Sequence, residues 1–195
     1  MLAYVFWHTP SPKTSRETYE HNLLAFYEAL ERADCPGVKQ AATARISSIP
    51  WSRDQGGYED WAVIEGTWVL EGLNTKAVEG SMEAPHAQIA QLMESGNGGV
   101  YYHLWGELEP DRADVAQWLS RPRGIQFRPP LEKIAESAGA PVSVWRRFMV
   151  LGPGPEFIIF GSTPMNIQLP QGWHTHGVDR RVLSEGVASR SRSRV

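Results

Sequence analysis

LAYVFWH, residues Leu2–His8, begins the chain with apolar or aromatic side chains at nearly every position. Side chains on a strand alternate between its two faces, so a run that is apolar on both faces predicts a central strand covered on both sides. Pro10 and Pro12 end this run, because proline has no N–H to donate to a neighbouring strand. The chain is therefore predicted to build its fold around a buried first strand.

After this strand, the hydrophobic pattern of the first half alternates between the period of a helix and the period of a strand. Thr14-x-x-Glu17 forms a capping box before a helix that ends at Cys35-Pro36-Gly37. The predicted elements that follow are a strand over 38–49, a strand over 59–65, helical runs over 67–78 and 84–95, a turn at GNGG (96–99) and a strand over 100–107. This order, β-α-β-β-α-β, predicts a ferredoxin-like unit over residues 1–108.

The second half is less regular. The predicted elements are a short helix over 112–119, a helix over 131–137, a strand over 142–151, its hairpin partner over 156–162 across GPGP, and an irregular segment over 163–173. We therefore expect a second, degenerate α+β half over 109–185, packed on the first. The last residues, 186–195, are polar and basic without an apolar period, which predicts a disordered tail.

Two aromatic stretches half a chain apart resemble each other. Tyr4 and Trp7 in YVFWHTPSP have the same spacing as Tyr102 and Trp105 in YYHLWGELEP. Each stretch is followed by a helix, a strand with an arginine, a Gly/Pro loop and another strand. Similarity at half the chain length suggests an internal duplication, and chance similarity between aromatic strands is the alternative.

The element order and the segment YEDWAVIEGTWVLEGLN resemble the dimeric α/β-barrel proteins of ferredoxin-like fold. The resemblance implies two βαββαβ units whose sheets face each other around a cavity, in one chain or in a homodimer. That group includes monooxygenases that need no cofactor, haem enzymes and stress-response proteins. The resemblance rests on pattern and supplies no catalytic residue, and a shared fold does not determine a function.

Composition narrows the class of protein. The formal net charge is −3, with 42% hydrophobic and 21% charged residues, which favours a globular protein and no nucleic-acid partner. The single cysteine, Cys35, excludes an intrachain disulfide, so a cytoplasmic location is expected. No apolar run approaches the ~20 residues that cross a bilayer, so no membrane association is expected.

Several residues are candidates for a pocket. His8 lies at the end of the first strand, and His103 lies in a strand on the same predicted face as Tyr101 and Trp105. Imidazole transfers protons near neutral pH, so both histidines are candidate catalytic bases, with hydrogen-bonded core histidines as the alternative. The predicted substrate-binding residues are Trp7, Tyr101, Trp105 and Arg147, the last as an anion anchor.

His174-Thr175-His176 has the spacing most typical of metal ligands in this chain. In an extended segment both imidazoles point the same way and can meet one ion. A catalytic site usually needs a third protein ligand, for which the candidates are His8, His86, His103, Asp60 and Glu65.

The sequence therefore predicts a protein that binds a small, mostly apolar organic molecule in an aromatic-lined pocket and transforms it without a cofactor, as an oxygenase or isomerase. A non-catalytic binding or assembly protein and a metal enzyme using His174 and His176 are the alternatives.

Overall fold

The computed structural model describes residues 1–53, 55–150 and 152–184. The strands are β1 (Leu2–Pro10), β2 (Val38–Ile49), β3 (Gln55–Ile64), β4 (Met93–Gly106), β5 (Val115–Ser120), β6 (Val142–Val150), β7 (Phe157–Gly161) and β8 (His174–Ser184). The helices are α1 (Arg16–Arg32), α2 (Val69–Ala77), α3 (Glu83–Leu92) and α4 (Arg128–Ser137). The predicted tail over 186–195 lies outside the described residues.

The eight strands close into one antiparallel barrel in the order β1-β3-β2-β8-β5-β7-β6-β4. Within the first four strands the order is β4-β1-β3-β2, and within the last four it is β8-β5-β7-β6. Each group therefore places its fourth strand beside its first and its third beside its second. The groups meet where β2 pairs with β8 and where β4 pairs with β6. The fold class is α+β, as predicted.

Apolar side chains form three layers. One cluster fills the barrel and contains Trp7, Trp61, Tyr101, Trp118, Trp145 and Phe160. A second cluster packs α1, α2 and α3 on the outer face of the first four strands, and a third packs α4 on the outer face of the second group. Among the described residues, no helix combines the length and apolar character needed to cross a membrane.

The helix predicted over 112–119 is wrong, because residues Val115–Ser120 form β5. Ala116 and Trp118 project into the barrel, while the strand pairs with β7 on one side and β8 on the other. In a segment of only six residues, apolar residues at alternate positions fit a helix as well as a strand, so the hydrophobic pattern does not distinguish the two. The strand β8 was not predicted at all.

The turn predicted at GNGG is also wrong. These residues lie inside the 14-residue strand β4, where Gly96 pairs with His8 and Gly98 with Phe6 of β1. The capping box at Thr14 is displaced by one residue, because Ser15 is the N-cap of α1 and its hydroxyl accepts from the Thr18 N–H at 3.1 Å.

The two similar aromatic stretches, which contain Tyr4 and Trp7 and Tyr102 and Trp105, do not lie on equivalent strands. β1 and β4 are adjacent and antiparallel, with Leu2 opposite Tyr102, so both stretches belong to the first group of four strands. By position in the strand order, the counterpart of β1 is β5 and not β4. The similarity of the two stretches therefore does not support an internal duplication.

Candidate functional site

A cavity of about 460 Å³ lies between the outer face of the first four strands and the helices α1, α2 and α3. We call it the helix-side cavity. Its wall is mostly apolar and includes Tyr4, Phe6, Phe26, Leu73, Ile89 and Met93, and its polar members include His8, Asp60, Asn74 and His86. The volume suits a small organic molecule, because ligand pockets typically measure about 300–1,000 Å³.

The alternation of β1 determines which residues reach this cavity. Val5 and Trp7 point into the barrel, where both are buried. Tyr4, Phe6 and His8 point to the helix side and line the cavity. Their rings form a stacked row, with centroids 6.4 Å apart for Tyr4 and Phe6 and 5.4 Å apart for Phe6 and His8.

The glycines of β4 make room for this row of rings. A Cβ at Gly96 would lie 2.4 Å from the Phe6 ring, and one at Gly98 would lie 2.9 Å from the Tyr4 hydroxyl. Real Cβ atoms do not approach other atoms so closely, so side chains at these positions would displace the rings. The cavity therefore depends on glycines that the sequence pattern had suggested were a turn.

The polar end of the cavity is built on His8. Its Nδ1 lies 2.5 Å from the Tyr19 hydroxyl, and its Nε2 lies 3.1 Å from Asp60 Oδ2. An ionised carboxylate only accepts hydrogen bonds, so Nε2–H donates to Asp60. The His8 ring is 2% exposed, so its bond to Tyr19 is shielded from water, while the Asp60 side chain is 19% exposed. The contacts fix the tautomer and the orientation of the imidazole.

Asp60 has one oxygen, Oδ2, in this network, and the Tyr27 hydroxyl lies close to the same carboxylate. The Oδ1 atom of Asp60 is buried and has no hydrogen-bond partner among the described residues, although the side chain lines the cavity. A buried carboxylate oxygen without a partner is costly, so such an atom marks a place where a ligand donor or a water would be stabilised.

The tyrosines around Asp60 keep their protons. Burial, followed by the charge of Asp60, raises the pKa of Tyr4 and raises the pKa values of Tyr19 and Tyr27 well above the ordinary value. Tyr27 donates its proton to the Ala42 carbonyl at 3.0 Å. The carboxylate of Asp60 is therefore the negative group at this end of the cavity, surrounded by neutral phenols.

A second set of polar contacts adjoins the His8 network and involves Tyr58, Glu20 and Arg45. The Tyr58 ring stacks on His8 with centroids 5.5 Å apart, and its hydroxyl donates to Glu20 Oε1 at 3.1 Å. Arg45 donates to the same Glu20 oxygen at 2.8 Å. The arginine of the predicted second strand is thus paired within the protein.

Trp7 and Tyr101 lie in the packed barrel and not on the cavity wall. They are 1% and 0% exposed, and their rings meet edge to face with centroids 5.8 Å apart. Trp7 Nε1–H donates to Glu59 Oε2 at 2.8 Å, and Arg180 Nε–H donates to Glu59 Oε1 at 3.0 Å. The barrel therefore encloses a buried ion pair among aromatic rings.

His103 and Trp105 lie apart from the cavity and from each other. The His103 ring contacts Trp145 with centroids 4.8 Å apart, and burial is the main cause that lowers its pKa. The register of β4 shifts between His103 and Trp105, so Trp105 packs instead with the outer cluster under α4. The predicted shared face of these two residues is wrong, because the irregularity breaks the alternation.

The adjacent arginines of β6, Arg146 and Arg147, take opposite faces of the strand. Arg146 lies over the Phe127 ring, with its guanidinium carbon 4.3 Å from the ring centroid. Arg147 lies opposite Tyr101 and donates from Nη1 to the Gly154 carbonyl at 3.0 Å.

The two histidines of the predicted metal site differ in exposure and contacts. His174 is exposed, while His176 Nε2 lies 2.6 Å from the Ser48 hydroxyl and its ring lies near Trp118. No cluster of three or more His, Cys, Asp or Glu side chains suited to a metal ion occurs over 1–53, 55–150 and 152–184.

Of the predicted catalytic and substrate-binding residues, the structure brings only His8 to the helix-side cavity. Sequence analysis considered Asp60 only as a candidate metal ligand, and it missed Tyr19 and the partnership of Glu59 with Arg180. Glu59 faces the barrel and Asp60 the cavity. The signal for Asp60 was a charged residue on an otherwise apolar face of β3, opposite Phe6.

No family model and no curated protein matches this chain in sequence. Solved structures match it in fold. One is a "putative monooxygenase" from Fusobacterium nucleatum, with a TM-score of 0.61 and 10% identity over 94% of this chain and 92% of its own. Another is a "putative monooxygenase" from Lactobacillus acidophilus, with a TM-score of 0.50 and 8% identity over 93% and 94%. At these identities the similarity shows the fold alone, an α/β barrel.

Proposed function

We propose that this protein binds a small, mostly apolar organic molecule in the helix-side cavity and removes a proton from it without a cofactor. The observation that carries the proposal is the Asp60 carboxylate at the wall of an apolar cavity, where His8 bonds to Oδ2 and holds the group in place. The acidic group of the ligand would be an O–H or a C–H next to a carbonyl or ring. Such a proton is removed efficiently by a base held within hydrogen-bond distance.

Each residue of the network has a distinct role in this proposal. The Asp60 carboxylate accepts the proton, while His8 Nε2–H donates to Oδ2 and holds the carboxylate in place. Tyr19 in turn orients His8 through Nδ1, so it acts as a positioning residue. The apolar wall keeps water away, which strengthens the electrostatic interactions of the carboxylate.

We favour an oxygenase as the reaction class. Two proteins of the same fold have "putative monooxygenase" as their description. A carbanion or phenolate formed at Asp60 is electron-rich and can reduce dioxygen: one oxygen atom becomes a new C=O of the substrate, and the other leaves as water with the two hydrogens that the substrate loses, so no external reductant is needed. Dioxygen is then the oxidant and a co-substrate. An isomerase, which returns the proton to a different carbon, is the second enzyme class that the same base serves.

A binding experiment tests the ligand class. The probes are 2-naphthol, which has an acidic O–H, and 2-methoxynaphthalene, which lacks it. We expect the protein to bind 2-naphthol more tightly, and Asp60→Asn to reduce that preference by about tenfold, the effect of one hydrogen bond to a charged group. Asp179→Asn on the exposed surface of β8 is the matched control. A preference for 2-naphthol that survives in Asp60→Asn would contradict the proposal.

A proton-exchange experiment tests the chemistry without knowledge of the natural substrate. The protein is incubated with 2-tetralone in deuterium oxide, and loss of the acidic C–H signal is followed by NMR. Asp60→Asn is expected to slow the catalysed exchange by about 10²–10⁴-fold, the usual contribution of a general base. Binding of both naphthalene probes without any catalysed exchange would support the alternative of a non-catalytic binding protein.

The architecture supports a finer proposal as well. We infer that residues 1–108 and 109–185 are two ferredoxin-like units, the second degenerate, within one chain. The repeated strand order of the two groups supports this interpretation, as does the helix between the first and second strands of each group. A homodimer and a cytoplasmic location stay predictions.

A further inference from the structure

A second concave site lies at one end of the barrel, separate from the helix-side cavity. It measures about 390 Å³ and is lined by Ser120–Gly124, Arg147, Gly154 and Glu156. We call it the arginine groove. It shares no lining residue with the helix-side cavity within the described chain.

The charges of the groove do not balance. Arg121 Nε–H donates to Glu156 Oε1 at 2.8 Å, and both side chains are about four-fifths buried. Glu156 is thereby committed to Arg121. Arg123 and Arg147 also line the groove, and neither forms an ion pair with a carboxylate in the part of the chain that the structure describes. Three arginines and one glutamate leave a net charge of +2 in the groove.

Arg147 is the member of the groove with the most fixed position. It follows Trp145 on the inward face of β6 and is half-buried at the end of the barrel. One of its five N–H groups donates to the Gly154 carbonyl. The remaining donors of the guanidinium are free to meet a ligand. A partly desolvated guanidinium without a carboxylate is stabilised by an added anion.

The opposite wall of the groove is held rigidly. Three successive carbonyls of the GPGP loop, at residues 153, 154 and 155, accept from the side chains of Asn97, Arg147 and Tyr101 at 2.7, 3.0 and 2.9 Å. The loop is therefore ordered before any ligand arrives. A site that needs no ordering on binding loses less conformational entropy when it is filled.

We propose that the arginine groove binds an oxyanion, such as a phosphate, sulfate or carboxylate group, through Arg147 and Arg123. The planar guanidinium of arginine donates two parallel hydrogen bonds to such groups, which gives both affinity and orientation. The site is independent of the proton-transfer chemistry at Asp60. An anionic small molecule or the anionic end of a larger ligand carries the required chemistry.

The experiment uses inorganic phosphate, sulfate and acetate as separate probes, with sodium chloride added to equal ionic strength. Thermal unfolding of the full chain is followed as each anion is titrated. We expect saturable stabilisation by at least one oxyanion that chloride does not give. The three anions distinguish a tetrahedral oxyanion from a carboxylate as the preferred group.

Two variants test the residues. Arg147→Gln is expected to weaken oxyanion binding by at least about tenfold, since a charge-assisted bond contributes 1.5–3 kcal/mol. Arg123→Gln, on an exposed side chain, should weaken it without affecting the fold. Arg112→Gln is the matched control, because its side chain is 75% exposed and lies outside the groove. No difference between oxyanions and chloride, or unchanged affinity in both groove variants, would overturn the proposal.

Discussion

Replacing Glu59 by glutamine is expected to destabilise the protein severely. Glu59 is 0% exposed and accepts from Trp7 at 2.8 Å and from Arg180 at 3.0 Å inside the barrel. Glutamine has nearly the same shape, but it places an NH₂ group where one of these two donors requires an acceptor. It also leaves the charge of Arg180 without a counter-ion, although Arg180 Nη1 keeps its bonds to the carbonyls of Pro110 and Ala113.

The magnitude follows from these two losses. A buried donor left without an acceptor costs about 1–3 kcal/mol. Breaking a buried ion pair by removal of one partner costs about 3–5 kcal/mol in total. We therefore expect Glu59→Gln to lower the free energy of unfolding by about 3–5 kcal/mol. Because typical domains are stable by only 5–15 kcal/mol, this is a large fraction of the total.

Urea unfolding followed by tryptophan fluorescence measures this change, provided that the m-value is unchanged. The matched control is Glu65→Gln, because Glu65 pairs with Lys39 while both side chains are largely exposed, at 42% and 53%. A surface pair of this kind contributes about 0–1 kcal/mol. A loss below about 1 kcal/mol in Glu59→Gln, similar to the control, would refute the reasoning that burial makes this pair essential.

Three further predictions test local features. Gly106→Ala should destabilise the protein by about 1–3 kcal/mol or more, because Gly106 has φ 92° and an added Cβ would lie 2.0 Å from the Val142 carbonyl oxygen. The control is Gly72→Ala, which has open space around it and should not be destabilising in the same urea assay. Ser15→Ala should cost about 1 kcal/mol through loss of the α1 cap, and an unchanged unfolding midpoint would contradict this. Burial lowers the pKa of His103 in the folded state below 6.5, so its contribution to stability is present above pH 6.5 and is lost as the pH falls through the folded value. His103→Gln should therefore make stability decline less between pH 7 and pH 5 than in the wild type, and parallel pH profiles would count against the assignment.

The sequence predicts the first half of the fold well, because its periods are long and are bounded by clear stop signals. The strand predicted over 38–49 is observed as β2, and the helix that ends near Cys35 is observed as α1. The second half fails where elements are short. β5 has six residues, too few to separate a period of 2 from one of 3.6.

The site was harder to predict than the fold, because its geometry depends on register and on long-range contacts. His8 could be proposed from its place at the end of β1, but Tyr19 and Asp60 reach it from α1 and β3. The buried charges were equally hidden, since Glu59 and Arg180 are 121 residues apart. The glycines of β4 look like a turn in isolation, and only the rings of β1 beside them explain their place in a strand.

Alternate residues of β1 have different roles. Val5 and Trp7 pack inside the barrel, and Tyr4, Phe6 and His8 line the helix-side cavity. Substitutions at Tyr4 or Phe6 therefore alter the shape offered to a ligand without creating voids around Trp7. Selection for a different ligand at the proposed site would therefore act on this outer face, while the residues that fill the barrel stay unchanged. A library confined to the outward positions of this strand would be expected to yield mostly folded variants with changed preferences.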